Sequence, residues 1–436
     1  MTKGRLLAGL LFCAMPAHAW AGPAETRLAE AVRHDDPAAI RSALAAHADV
    51  NALLPDKSTV LAWAVDRQNV QAVELLLSAG AKPAALAPDA VKPLSLACEL
   101  GNPRIVTALL RSGADAKEIR ADGTSAFALC AGASTPPVLQ LMADKGAGVN
   151  AANVQQQTPL MWAAMAGNTA SIKWLIAHGA RVNAVEKQGY TPLFFALRSK
   201  EASAPMALLA ARADVNAVLA DGTTVMQAAI LTGNIPFAIQ LVTHGADIAR
   251  PDKNGQQAIH YAAVSGNADF VKAVLAKGAD PNTPVRPPTG RGRGNAAPAP
   301  ATPLQLAARA GSPEAMKALV EAGAKPDTRG ADGMTLAMAA AGSGSVEAMT
   351  YAYQLDPHLD VIAQGGRSIM HIAVAARGTP DPIGVIKFLV DKGAPLNIED
   401  EHHASPGDNL NSNGDPAIRE FYIQLLRDHG IVSTNH

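Results

Sequence analysis

Glycine returns every 33 residues along this chain. Gly80, Gly113, Gly146 and Gly179 keep that step, Gly245 and Gly278 continue it, and His47 and Arg212 occupy the same phase. The next glycine of the series is Gly323, 45 residues on, or 33 plus an insert of 12. Asp356 follows at 33, then Gly393 and Gly430 at steps of 37. A second column agrees, with Asn51, Asn150, Asn183, Asn216, Asn282 and Asn397 four residues after the series. Asp49, Asp115, Asp214, Asp247 and Asp280 form a third, two residues after it. A sequence period of this length marks units that stack on one another rather than one compact core. It also reconciles the 436 residues with packing, because a stack grows by repeating the same neighbour contacts.

The best-defined unit runs from Gln157 to Ala184. Thr158 stands where an N-cap is needed, and Pro159 follows at the first helical position, where its missing N–H costs nothing. Leu160, Trp162, Ala163 and Ala164 give the apolar spacing of a first helix, which breaks at Gly167-Asn168. Ile172, Leu175 and Ile176 mark a second helix, and Gly179 supplies the left-handed residue that stops it. Neither helix is long enough to be stable by itself, so each unit must lean on its copies.

The T-P-L starts at Thr158–Leu160, Thr191–Leu193 and Thr302–Leu304, with turn endings such as Gly179–Ala184, make the chain resemble the ankyrin repeat family. That resemblance implies an all-α solenoid of stacked helix-turn-helix units with hairpin-like loops, about eleven repeats plus terminal caps. Two departures matter. The histidine that follows T-P-L in the family is present only as His260 and His371. At His47, Arg212 and Asp356 a residue other than glycine must accept a left-handed φ, or the turn must change.

Five regions follow. Residues 1–21 carry Lys3 and Arg5, the apolar run Leu6–Met15 and overlapping A-x-A sites at Ala17–Ala19 and Ala19–Ala21, the pattern of a secretory signal peptide. Cleavage after either Ala19 or Ala21 satisfies it. Cys13 follows Leu11-Phe12 rather than the small residue a lipid-anchor site wants, so a soluble exported protein, periplasmic or secreted, is expected. Residues 22–283 are repeats, 284–300 a Pro/Gly/Arg-rich insert placed in a hairpin loop, and 301–400 further repeats. Residues 401–436 read as a polar loop and a capping helix over Ile418–His429. The net charge of −1 becomes −3 without Lys3 and Arg5, with 35 basic against 38 acidic residues, which gives no electrostatic case for nucleic acid or a membrane surface.

No catalytic, cofactor or metal motif is present, and the chain reads as non-enzymatic. His402-His403 beside Glu399, Asp400 and Glu401 lacks the fixed geometry of a metal site. His178, His244 and His429 precede turn positions and suit the carbonyl ends of helices. Trp63, Trp162, Phe195, Tyr261 and Ile372 share one column and read as packing residues. Cys98 and Cys130 fall in the first helices of adjacent units. We read them as two small buried thiols, with a disulfide as the alternative that an oxidising compartment permits.

What remains is surface. In the resembled family a partner meets the hairpin tips and the concave ends of the first helices. Here the tips carry Val154, Gln155, Gln157, Lys187, Gln188, Tyr190, Asp221, Thr223, Lys253, Asn254 and Gln256. The helix positions are Met165, Arg198, Leu231, Val264 and Arg309. This mixture suits a protein partner of a monomeric scaffold. The resemblance to exported bacterial ankyrin proteins implies roles such as supporting oxidative-stress enzymes or neutralising a toxin. A secreted effector that binds a host protein is the alternative.

Overall fold

The computed structural model describes residues 22–86, 90–199, 201–285, 301–330, 332–413 and 415–431. The expected signal peptide and most of the insert lie outside them. The chain divides into two compact units at Asp214/Val215. The first holds α1 (Pro23–Arg33), α2 (Pro37–Ala45), α3 (Val60–Asp66), α4 (Val70–Ser78), α5 (Pro93–Leu100), α6 (Pro103–Arg111), α7 (Ala126–Ala133), α8 (Pro136–Asp144), α9 (Pro159–Ala166), α10 (Thr169–Ala177), α11 (Pro192–Leu197) and α12 (Ser203–Ala210). The second holds α13 (Val225–Leu231), α14 (Ile235–Thr243), α15 (Ala258–Val264), α16 (Ala268–Ala276), α17 (Pro303–Arg309), α18 (Pro313–Glu321), α19 (Leu336–Ala341), α20 (Val346–Leu355), α21 (Ile369–Val374), α22 (Pro382–Asp391), α23 (Pro406–Asn413) and α24 (Pro416–Asp428). Among the described residues there is no strand, only isolated bridges within three hairpin tips.

Consecutive helices pair, and within each unit first helices pack on first helices and second on second. The core is the seam between these layers. Leu61, Leu94, Phe127, Leu160 and Leu193, each two residues after a cap position, are buried in the first unit. The second helices packed on the first ones contribute Leu76, Leu109, Met142, Leu175 and Leu208, all fully buried. Each such side chain contributes about 1.5–3 kcal/mol, and only a neighbouring repeat can cover it.

The asparagine column holds the turns in register. Asn150 donates Nδ2–H to the carbonyl of Gly179 at 2.8 Å and accepts the N–H of Arg181 at 2.8 Å. Asn51, Asn183 and Asn216 make the same pair of bonds to the next turn of their own unit. Asn282 reaches Gly323 at 3.0 Å and Lys325 at 2.9 Å, across the insert. At the base of the insert the Val285 N–H meets the Ala301 carbonyl at 3.1 Å, so the repeat resumes where it was left.

Both outcomes foreseen for the turns without glycine occur. His47 and Arg212 take left-handed backbone, at φ 57° and 60°. Asp356 is extended instead, at φ −140°, and accepts from His358 Nδ1 at 2.8 Å. Cap chemistry is likewise uneven. Thr59, Thr224, Thr302 and Thr335 cap their helices through the hydroxyl. Thr158 and Thr191 hold the N-cap position, yet their buried hydroxyls have no hydrogen-bond partner. Lys92 offers no cap to α5, and Glu118 of the following tip accepts the Ser95 N–H in its place at 3.1 Å.

Two readings are corrected. The stretch read as a polar loop at 401–415 contains α23, because Ser405 and Asp408 form a reciprocal cap around Pro406 and Leu410 is buried. Cys98 and Cys130, read as free thiols, are joined in a disulfide with Cα atoms 4.3 Å apart. Small residues let α5 and α7 approach this closely. A Cβ on Gly101 would come within 2.5 Å of the Ala133 carbonyl oxygen.

Candidate interaction surface

Tips are folded by one acceptor side chain, an aspartate three residues before the cap at Asp56, Asp122, Asp221 and Asp332, or a residue five before it at four others. Asn153 accepts the N–H groups of Gln155 and Gln157 at 3.0 and 2.9 Å. Glu186, itself buried, accepts those of Gln188 and Tyr190 at 2.8 and 3.0 Å. Asp252 does the same for Asn254 and Gln256, both at 2.8 Å, and Asp400 for His402 and Ala404 at 2.8 and 3.0 Å. Such turns replace backbone partners with a side chain and leave the intervening residues outside. The N–H groups of Ala404 and His402 also hold the Asp400 carboxyl below its ordinary range. The loop considered for a metal is thereby occupied with forming a tip. Among the described residues no group of three His, Cys, Asp or Glu side chains is placed to hold a metal ion.

Some neighbouring tips are bonded backbone to backbone. In the first unit Val154 N–H meets Asp122 O at 3.3 Å and Lys187 N–H meets Gln155 O at 3.1 Å. In the second unit Gln364 N–H meets Asp332 O at 2.7 Å. The tips are therefore a framed surface, not independent loops.

On that frame Gln155, Lys187, Gln188, Asp221, Lys253 and Asn254 are exposed, as are Met165, Arg198, Leu231, Val264 and Arg309 at the helix ends. Leu231, at 75 %, is the most exposed large apolar side chain among the described residues. Gln157, Tyr190, Thr223 and Gln256 are half-buried. Several of these are partly spent within the fold. Gln157 Oε1 accepts from Asn153 Nδ2 at 3.0 Å, and the Tyr190 ring packs on Phe194 and Phe195. Asp221 is ion-paired with Lys253 of the next tip at 2.9 Å. That lysine, together with the Thr223 N–H, drives its carboxyl strongly down.

Sequence reasoning missed one apolar column. Leu53, Ile119, Val185 and Ile362 each stand six residues before a cap residue and are 44–58 % exposed. Their regular offset from the cap was the signal that could have found them. The aromatic column packs as expected at Trp63 and Phe195, which are buried. Trp63 Nε1 donates to Asp56 at 3.3 Å, and the Tyr261 hydroxyl donates to Asp252. Burial and that carboxylate push the Tyr261 phenol well up. His178, His244 and His429 each place Nδ1 on the carbonyl four residues earlier, at 2.8, 2.8 and 2.9 Å. They finish helices and are not a shared site.

Fold and surface together define a helical repeat protein that carries variable side chains on a regular frame. A model of the ankyrin repeats (three copies) matches residues 28–120, 125–217, 202–284 and 301–400. The chain belongs to the ankyrin repeat family, whose members are in general protein–protein interaction modules. A search of curated proteins finds no match.

Proposed function

We propose that this chain is an exported, non-enzymatic interaction scaffold. It works in the periplasm and binds a partner protein through its tips and the exposed ends of its first helices. One observation carries the reading: large apolar side chains, Leu231 and Val264 above all, stand open at the ends of first helices whose tips are joined by the Lys253–Asp221 ion pair. Export is supported by the signal-like N-terminus. The Cys98–Cys130 bond adds to that, since such bonds persist in oxidising compartments. Cys13 lies in the expected leader, so its removal leaves no unpaired thiol.

The test combines fractionation with capture. The mature protein is expected in the periplasmic fraction, starting at Trp20 or Gly22. A Leu231→Asp/Val264→Asp variant is expected to keep its helical circular dichroism and lose a partner that the wild type retains. Equal recovery by both proteins would remove these residues from the interface, and an uncleaved cytoplasmic product would remove export.

A further inference from the structure

The cations of the α9–α12 repeats are largely unspent. From Val154 to Val218 the chain holds six lysines and arginines against three carboxylates, Glu186, Glu201 and Asp214. Glu186 is buried and turned inward to the tip N–H groups. Lys187 at the tip and Arg198 at the end of α11 are exposed, and neither side chain has an ion pair or hydrogen bond among the described residues. Two other tip cations are paired, Arg120 with Glu99 at 3.1 Å and Lys253 with Asp221 at 2.9 Å.

Apolar groups stand beside the free cations. Val154 and Val185 are more than half exposed on the two tips, and Met165 is 43 % exposed at the end of α9. The tips are joined by the Lys187 N–H to Gln155 carbonyl bond. Each tip leads into a first helix whose far end carries Met165 or Arg198, a strip about 12 Å long for eight residues of helix. Midway along it Trp162 is half-buried, with part of its ring exposed while its indole N–H is covered and has no hydrogen-bond partner. The strip thus presents positive charge around aliphatic contacts, with the exposed Glu201 against Gly167 as a carboxylate at its helix end.

We propose that this strip of the first unit receives an acidic peptide segment with an aliphatic or aromatic anchor, its carboxylates meeting Lys187 and Arg198. The inference rests on the reading of the chain as an interaction module and names the chemistry of what it binds. Charge complementarity selects an acidic occupant, and the aliphatic contacts select a peptide over a nucleic acid. Phe195 is buried and Tyr190 is packed against it, which leaves only the half-buried Trp162, and one ring is no platform for successive stacked bases.

The experiment is selection of a phage-displayed random peptide library on the full mature chain, followed by titration of the recovered peptides. The expected peptides are rich in Asp and Glu around a Leu, Ile, Met or Phe. Their affinity falls by about tenfold or more in Lys187→Glu/Arg198→Glu, and also falls with added salt. Binding changes tryptophan emission in the wild type, and the change shrinks in Trp162→Phe. Both charged residues are exposed, so unchanged circular dichroism separates loss of binding from loss of fold. Peptides without acidic bias, acidic peptides indifferent to the charge reversal, or oligo-dT bound as tightly through the same residues would each overturn the proposal. Peptides lost only in Leu231→Asp would overturn it while leaving the interaction-module reading intact. A wild type that enriches no peptide and captures no periplasmic protein would remove both.

Discussion

Two turn junctions of the molecule make the same bonds at very different cost in chain length. In the first unit Asn150 reaches the Gly179 turn 29 residues on, and in the second Asn282 reaches the Gly323 turn 41 residues on. The distances are 2.8 and 3.0 Å. Twelve extra residues leave the lateral bond in place because the insert departs and returns at one tip, between Val285 and Ala301. Register in this chain is therefore set by what the asparagine meets and not by the spacing that first revealed it. The Asp356 junction supplies the contrast. The preceding turn carries Asp327 in the asparagine column, as Ala84, Lys117 and Ala249 also depart from it, but here the stop glycine is gone too and the backbone leaves α20 in an extended conformation.

The comparison can be broken or sharpened in several ways. The largest effect is expected at the cystine, which closes a separation of 32 residues in the first unit and has no counterpart among the described residues of the second. Cys98→Ala/Cys130→Ala should cost about 3–4 kcal/mol by the loop-entropy account, read as a lowered denaturation midpoint. Native-state hydrogen exchange should place the loss in α5–α8. Equal loss in both units would show that the bond acts globally.

Next come the two asparagines. Asn150→Ala and Asn282→Ala should each cost about 1 kcal/mol, since both remove one donor and one acceptor at an exposed turn. A clear cost for Asn150 with none for Asn282 would mean that the insert loosens its junction. Trimming the insert to the regular spacing should then restore the cost.

Glu118→Ala tests a cap supplied by a neighbour. It should destabilise by about 1 kcal/mol, and Lys92→Thr should recover part of that by giving α5 its own cap. The smallest shift is expected at the left-handed turns. Arg212→Gly should stabilise by about 0.5 kcal/mol, relief of the backbone strain being partly offset by the freer unfolded chain. Gly179→Arg, at φ 83°, should move the opposite way.

Acid should separate the units further. Burial lowers the pKa of His260 in the second unit, and its Nδ1 accepts the Gln257 N–H at 2.9 Å. The neutral ring is the folded form, so its contribution is complete above the ordinary histidine pKa and is lost as pH falls below it. His260→Gln should flatten stability between pH 7.5 and 5.5, compared by urea titration.

Much of this was legible in the sequence for a simple reason. The glycine and asparagine columns are single-residue solutions to a backbone problem, so they recur visibly. Caps were less so, because Glu118 serves a helix that begins 25 residues before it. Helix α23 escaped notice because its eight residues offer little apolar spacing around Leu410. The disulfide stood only as the alternative because it depends on how closely α5 and α7 approach, where Gly101 lies against Ala133. At the surface, exposure of the tip residues followed from their place in the period. Which of them the fold consumes did not, since Tyr190 and Asp221 find their partners only in three dimensions.

The interaction face is tested most directly by a photo-reactive amino acid placed in the living cell. Positions Val185 and Leu231 represent the tip and first-helix surface, and Lys173 and Lys317 the second helices. The account predicts cross-linked partner bands from Val185 or Leu231 and none from Lys173 or Lys317. Bands from the second-helix positions alone would contradict it.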